Sequence, residues 1–336
     1  MSDNQTKDSL KQSESRIGLG CMNVSHAYGP ALAEAEGVEL LQSAFELGYR
    51  AFDTATLYGF GRNEALVAKA LGSVRDQIHL SSKCGMAGVD GKRVIDGRPE
   101  TIARQIDESL ERLCTDHIDL YYLHRVDRQV PVEDSLAPLV KAMGEGKIGA
   151  IGLSEVPAVT LERALKVAPI AAVQNEYSLW SRNCEIALSE RCRDNGVTLV
   201  AFSPVCRGFL GIDWASFNGF VDGDIRKNMP RFQAEAIDKN SQLQREASAL
   251  ACELGLSTSQ LALAWLLHKG DHVFPIPGTR SLAHLRENFA AQQVRLGESV
   301  VAQLDTMFAP ARVVGNRYPA VTQSEIDTER FEFERD

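Results

Sequence analysis

Three apolar, strand-like runs end in groups that hold or exchange protons: Arg50-Ala51-Phe52-Asp53, Ile78-His79-Leu80-Ser81-Ser82-Lys83 and Ile118-Asp119-Leu120-Tyr121-Tyr122-Leu123-His124. Tyr58 follows the first run closely. A phenol titrates at about 10, too high for easy proton donation at neutral pH, and a nearby ammonium lowers it. A buried Lys83 needs a counter-charge, which Asp53 supplies in this reading. Such a set suits a carbonyl becoming an alcohol: Tyr58 delivers the proton, Lys83 tunes it, Asp53 holds Lys83 and His124 orients the oxygen. No side chain provides a hydride, so the chemistry demands a nicotinamide cofactor.

For these residues to meet, the strands carrying them must end on one face. Helical patterns at 63–71 and 99–113 separate them, so the strands run parallel. Eight strand candidates are legible, at 17–20, 50–53, 78–83, 118–124, 150–154, 171–175, 198–203 and 273–276. Between them, apolar residues recur at helical spacing, as in Leu136, Leu139, Val140 and Met143. Eight parallel units predict a (β/α)8 TIM barrel with its active site at the carboxyl ends of the strands. The rival, an open doubly wound sheet, calls for a third glycine that Gly18-Leu19-Gly20-Cys21-Met22-Asn23 lacks. Residues 85–98 and 206 to about 240 interrupt the alternation and are expected to overhang the catalytic face.

Composition is that of a globular chain: 336 residues, 44% hydrophobic and 24% charged. One barrel domain is expected over 16–308, after a flexible polar leader at 1–15 and before a tail at 309–336. A net charge of -9 and the lack of clustered Lys and Arg argue against nucleic acid as a partner. No apolar run approaches the roughly 20 residues needed to span a bilayer. The polar start has no signal-like apolar stretch, so a cytoplasmic location is the expectation. Seven scattered cysteines read as reduced thiols, and no His or Cys spacing suggests a metal. Cys84 adjoins Lys83 and is expected to be a small buried hydrophobe, the rival reading being a thiol of lowered pKa.

Taken together, these runs resemble the aldo-keto reductase superfamily over roughly residues 16–292. Phe52-Asp53-Thr54-Ala55-Thr56-Leu57-Tyr58-Gly59, with Asn63-Glu64, is similar to the family's catalytic Asp and Tyr segment, and Ser82-Lys83 and Leu123-His124 to its Lys and His. The resemblance implies that Ser154 and Gln174 hold a nicotinamide carboxamide and that Phe202 stacks on the ring. It places Ser203, Arg207 and Gly208 in a pyrophosphate-binding loop. It also assigns Gly278, Thr279, Arg280, Glu287 and Asn288 to the adenosine end, with Arg280 pairing a 2'-phosphate.

NADPH/NADP+ is thus the implied cofactor, with NADH as an alternative carrier, and an aldehyde, ketone or corresponding alcohol is the implied small-molecule substrate. The runs at 123–127, 152–156 and 175–180 resemble a bacterial or plant branch acting on aldehydes, pyridoxal or quinone-like carbonyls. Three positions depart from the common pattern: Glu155 where Asn is frequent, His284 where Arg is frequent, and Phe202 where Tyr is frequent. The family also includes potassium-channel accessory subunits, so a cofactor-holding redox sensor is the alternative function. Oligomeric state is not legible in the chain.

Overall fold

Why the barrel strands read as unbroken apolar runs is plain from their burial. In β3 (His79–Cys84) and β8 (Ile170–Glu176) every residue is buried, because helices cover the outer face while side chains fill the interior. The computed structural model describes residue 10 and residues 15–89 and 92–334. Eight parallel strands follow in the order β1 (Leu19–Gly20), β2 (Ala51–Asp53), β3, β6 (Ile118–Leu123), β7 (Ile148–Ser154), β8, β9 (Thr198–Phe202) and β10 (Val273–Pro275). Gly18 N–H donates to Pro275 O at 3.1 Å and Gly20 N–H to Pro277 O at 3.2 Å, which ties the first strand to the last. The seam is tight. A Cβ on Gly20 would lie 2.9 Å from the carbonyl oxygen of Ile276, so Gly20 serves close backbone approach, while one on Gly18 would lie 2.9 Å from the Phe274 ring.

All eight expected strands are present, with ends shifted by one or two residues. Helices α2 (Arg62–Leu71) and α3 (Pro99–Leu113) fall where their spacing predicted, the latter burying Ile102, Ile106 and Leu113 on one face. The overhang after β3 is more regular than expected: β4 (Met86–Val89) and β5 (Lys92–Ile95) pair as an antiparallel hairpin. The second irregular stretch ends earlier than expected, because α7 (Ala234–Glu253) already begins at Ala234. In that stretch Phe209, Trp214, Phe217, Phe220 and Phe232 pack on one another and on Trp180. Its aromatics form a small core of their own.

The tail closes over the carboxyl ends of the strands. Arg128 Nη2 donates to Ile326 O at 3.3 Å, and Ala158 N–H donates to Glu329 Oε1 at 2.8 Å. At the other terminus most of the expected leader lies outside the described residues. Its two described positions are buried, Leu10 in a cluster with Ala51, Leu120 and Phe274, so they depart from a loose polar leader. No single helix among the described residues is long and apolar enough to cross a membrane.

Candidate active site

The parallel register brings the three strand ends together. Asp53 pairs with Ser81 across β2 and β3, and Lys83 with Tyr122 across β3 and β6, so Asp53, Lys83 and His124 converge at one rim. Lys83 is wholly buried. Its Nζ is ion-paired with Asp53 Oδ1 and donates to Thr54 O at 2.7 Å and to the Tyr58 hydroxyl at 3.3 Å. The rings of Tyr58 and His124 meet edge to face, with centroids 5.8 Å apart. Gln174 Nε2 donates to Asp53 Oδ2 at 2.8 Å, satisfying the second carboxylate oxygen.

Burial adds a cause to the expected pull of Lys83 on Tyr58. Burial pushes the Tyr58 phenol above its ordinary value, and the Lys83 ammonium opposes this without reversing it, with Asp53 adding to the rise. Burial thus favours the neutral Tyr58 hydroxyl. For Lys83, burial pulls down, but Asp53 and the two hydrogen bonds outweigh it, so the ammonium persists. Burial, with Arg125 and Lys83 nearby, holds His124 well below the usual histidine range, so its ring is neutral. Cys84 is buried and donates to Tyr122 O at 3.4 Å; burial raises its thiol far above the ordinary value, as the small-hydrophobe reading expects.

A second layer fixes these groups. Thr54 Oγ1 donates to Asn63 Oδ1 at 2.5 Å, while Asn63 Nδ2 donates to Cys21 O at 2.8 Å and Ser25 Oγ at 2.6 Å. Buried Glu64 accepts from Ser82 Oγ at 2.6 Å and from Arg112 Nε at 2.7 Å. The segment after Tyr58 turns through positive φ at Gly59, Phe60 and Gly61, which lets α2 begin beside the rim.

A cavity of about 810 Å³ opens on this rim, lined by Asp53, Tyr58 and His124, with Lys83 behind them. All eleven residues assigned to cofactor contact line it as well: Ser154, Gln174, Phe202, Ser203, Arg207, Gly208, Gly278, Thr279, Arg280, Glu287 and Asn288. The donor set suits a dinucleotide. Backbone N–H groups of Gly278, Thr279 and Arg280 have no hydrogen-bond partner among the described residues and precede the N-terminus of α9 (Leu282–Ala290). Arg280 Nε is buried without a partner, while its Nη1 donates to Tyr28 O at 3.1 Å.

Two residues are engaged differently from what the motif alone conveys. The Arg207 guanidinium turns into a buried cluster, bonding Glu176 Oε2 and, at 2.8 Å, the Tyr318 hydroxyl of the tail. Glu155 is equally buried, accepting from Arg317 Nη2 at 2.9 Å through both oxygens and from Glu176 N–H at 2.9 Å. Its carboxylate is thereby committed to the tail. The two expected overhangs do reach the cavity, through Met86, Arg93 and Arg226, whereas Arg125 and the tail residues Tyr318, Pro319 and Thr322 were not singled out as cavity residues from the sequence. The Asp90-Gly91 dipeptide was the available signal for the hairpin. No local signal marks the tail residues, since their neighbours are remote in sequence.

Known proteins are similar to this chain over most of its length. The family model described as aldo/keto reductase family matches residues 16–308. A protein of Glycine max named probable aldo-keto reductase 1 is 39% identical over 307 residues, 90% of this chain and 88% of that one. One from Schizosaccharomyces pombe, named aldo-keto reductase yakc with NADP(+) in the name, is 38% identical over 317 residues, 92% and 93% of the two chains. The glycerol dehydrogenase of Gluconobacter oxydans superposes with a TM-score of 0.80 at 28% identity, covering 91% of this chain and 94% of that one. With the matched segment spanning every strand of the barrel and the whole rim, the chain belongs to the aldo/keto reductase family.

Proposed function

We propose that the cavity binds NADP(H) and that the protein interconverts an aldehyde or ketone with its alcohol, Tyr58 serving as general acid and base. The observation that carries this reading is the wholly buried Lys83 bridging the Asp53 carboxylate and the Tyr58 hydroxyl at the cavity wall. The bound dinucleotide supplies or accepts the hydride. Everything else falls to the chain. Tyr58 gives its proton to the carbonyl oxygen, and the adjacent Lys83 ammonium stabilises the phenolate left behind. Asp53 keeps Lys83 charged, and the neutral His124 ring directs a hydrogen bond at the same oxygen.

Ser154 at the end of β7 and Gln174 within β8 line the cavity with polar groups that suit a carboxamide, and Phe202 lines it with a ring that suits stacking. Arg280 and the free amides at 278–280 are the groups for the adenosine phosphates, and they favour NADPH over NADH. Glu155 is left out of the carboxamide set, since Arg317 occupies both its oxygens.

The test is reduction of a simple aromatic aldehyde followed at the reduced-nicotinamide absorbance band. Tyr58→Phe is expected to lower kcat by roughly two to four orders of magnitude while NADPH affinity changes little. Unchanged turnover in that variant overturns the assignment. Tight cofactor retention with no turnover of any carbonyl by the unsubstituted protein replaces it with a sensing role.

A further inference from the structure

Five arginines line the cavity, Arg93, Arg125, Arg207, Arg226 and Arg280, against two carboxylates, Asp53 and Glu287. Three of the five are neutralised: Arg207 by Glu176, Arg226 by Asp224, and Arg93 by Glu325 of the tail. Arg280 sits with the adenosine-end residues. That leaves Arg125, which follows His124 at the end of β6 and has no carboxylate within salt-bridge distance among the described residues.

Its orientation is set by the protein. Nη1 donates to His124 O at 2.6 Å and to Ser154 Oγ at 3.3 Å, while Nη2 and Nε make no hydrogen bond among the described residues. The side chain is half-buried, where a charge is weakly screened. Nearby, the Lys83 charge is cancelled by Asp53, so the proton-transfer end of the cavity keeps one uncompensated positive charge. That charge acts on both Tyr58 and His124.

We infer that Arg125 is a substrate-binding residue, and that the preferred carbonyl compounds carry an anionic oxygen group, carboxylate or phosphate, within reach of its free guanidinium edge. A guanidinium fork matches such groups with paired charge-assisted hydrogen bonds. The inference rests on the carbonyl-reduction reading above and adds the substrate's charge to it.

The test compares benzaldehyde, 4-formylbenzoate and 4-formylphenyl phosphate in the unsubstituted protein, Arg125→Met and Arg125→Lys. The unsubstituted protein is expected to favour one or both anionic aldehydes by about ten-fold or more in kcat/KM, the worth of one charge-assisted hydrogen bond. Which anion is favoured separates carboxylate from phosphate. Arg125→Met is expected to raise KM for the favoured anion about ten-fold more than for benzaldehyde, with a smaller effect on kcat and on the NADPH dissociation constant. Arg125→Lys keeps the charge and recovers part of the preference.

If Arg125→Met does not fold, Arg125→Lys decides the matter: losing the guanidinium fork must lower kcat/KM for the favoured anion several-fold more than for benzaldehyde. Equal losses for charged and neutral aldehydes, an equal loss of NADPH binding, or no charge preference at the outset overturns the inference while leaving carbonyl reduction intact. Absence of turnover with all three aldehydes removes the underlying reading instead.

Discussion

Two buried charge clusters lie at the same rim of the barrel and are built for opposite ends. The Asp53–Lys83 pair comes from adjacent strands and leaves one of its hydrogen bonds on a hydroxyl, that of Tyr58, which faces the cavity. The other cluster joins Glu155, Glu176, Arg207 and Arg317, two carboxylates and two guanidiniums from four remote segments. In it the carboxylates are consumed internally. Arg317 also bonds Thr328, and Arg231 adds bonds to Ser181 and Trp180 O. A buried pair contributes little net stability, yet removing one partner is costly. The first cluster therefore presents a hydroxyl to the cavity, and the second fixes where the tail lies.

Positive φ in side-chain-bearing residues occurs beside Tyr58, at Phe60, and near the second cluster. Glu155, Ser203, Cys206 and Arg207 all have positive φ, a conformation costing side-chain-bearing residues of order 1–3 kcal/mol each. Two of these four are members of the second cluster, so its ion pairs hold loops that local preference does not favour. The strand ends carrying Asp53 and Lys83 need no such support, because the sheet ladder positions them.

The comparison is broken most decisively at Lys83. Lys83→Met is expected to lower kcat for aldehyde reduction by about three orders of magnitude, measured in steady state, since the phenolate of Tyr58 loses its stabilising charge. Arg317→Met is expected to act on stability first, costing about 3–5 kcal/mol in denaturant unfolding by stranding Glu155 and Glu176. Adding Glu155→Gln to that variant should restore part of the loss. If Arg317→Met instead lowered kcat as far as Lys83→Met with stability preserved, the division between the clusters would fail.

Acid titration sharpens the contrast. His124 is held below its ordinary value, as are His26 and His79, the last at about 4. The unfolded chain then binds protons more readily than the folded one, so stability should decline as pH falls below about 6.5. In Glu176 burial alone would raise the carboxyl, but Arg207 and Arg317 bring it below its ordinary value. Its contribution is present above about 4.3 and is lost as pH falls further. Unfolding free energy against pH should show both declines. His124→Gln should flatten the upper one and Glu176→Gln the lower one.

The smallest expected effect concerns thiols. Cys114 and Cys252 are exposed and the other five cysteines buried. Alkylation of the native protein should modify two thiols with little loss of activity, and rapid modification of Cys84 would contradict its burial beside Lys83.

Much of the catalytic rim was legible because each of its residues closes a short apolar run. A strand end is a local feature, and eight such runs separated by helical spacing imply a barrel that gathers them. The pairing of 86–89 with 92–95 was missed although the sequence Asp-Gly at 90–91 is a hairpin signal, because the flanking runs are short and mixed in polarity. The role of Glu155 was hidden for a different reason. Nothing near it in sequence announces Arg317, its partner from the tail.

The chain alone determined the strand order, the barrel and the identity of the four groups at the rim, since periodicity and motif spacing act over a few residues. Only the tertiary structure decided that burial outweighs Lys83 at the Tyr58 phenol, that Glu155 and Arg207 serve the tail, and that Arg125 has no carboxylate partner among the described residues. Those outcomes depend on burial and on which charges meet across long sequence separations, and both exist only once the barrel has closed.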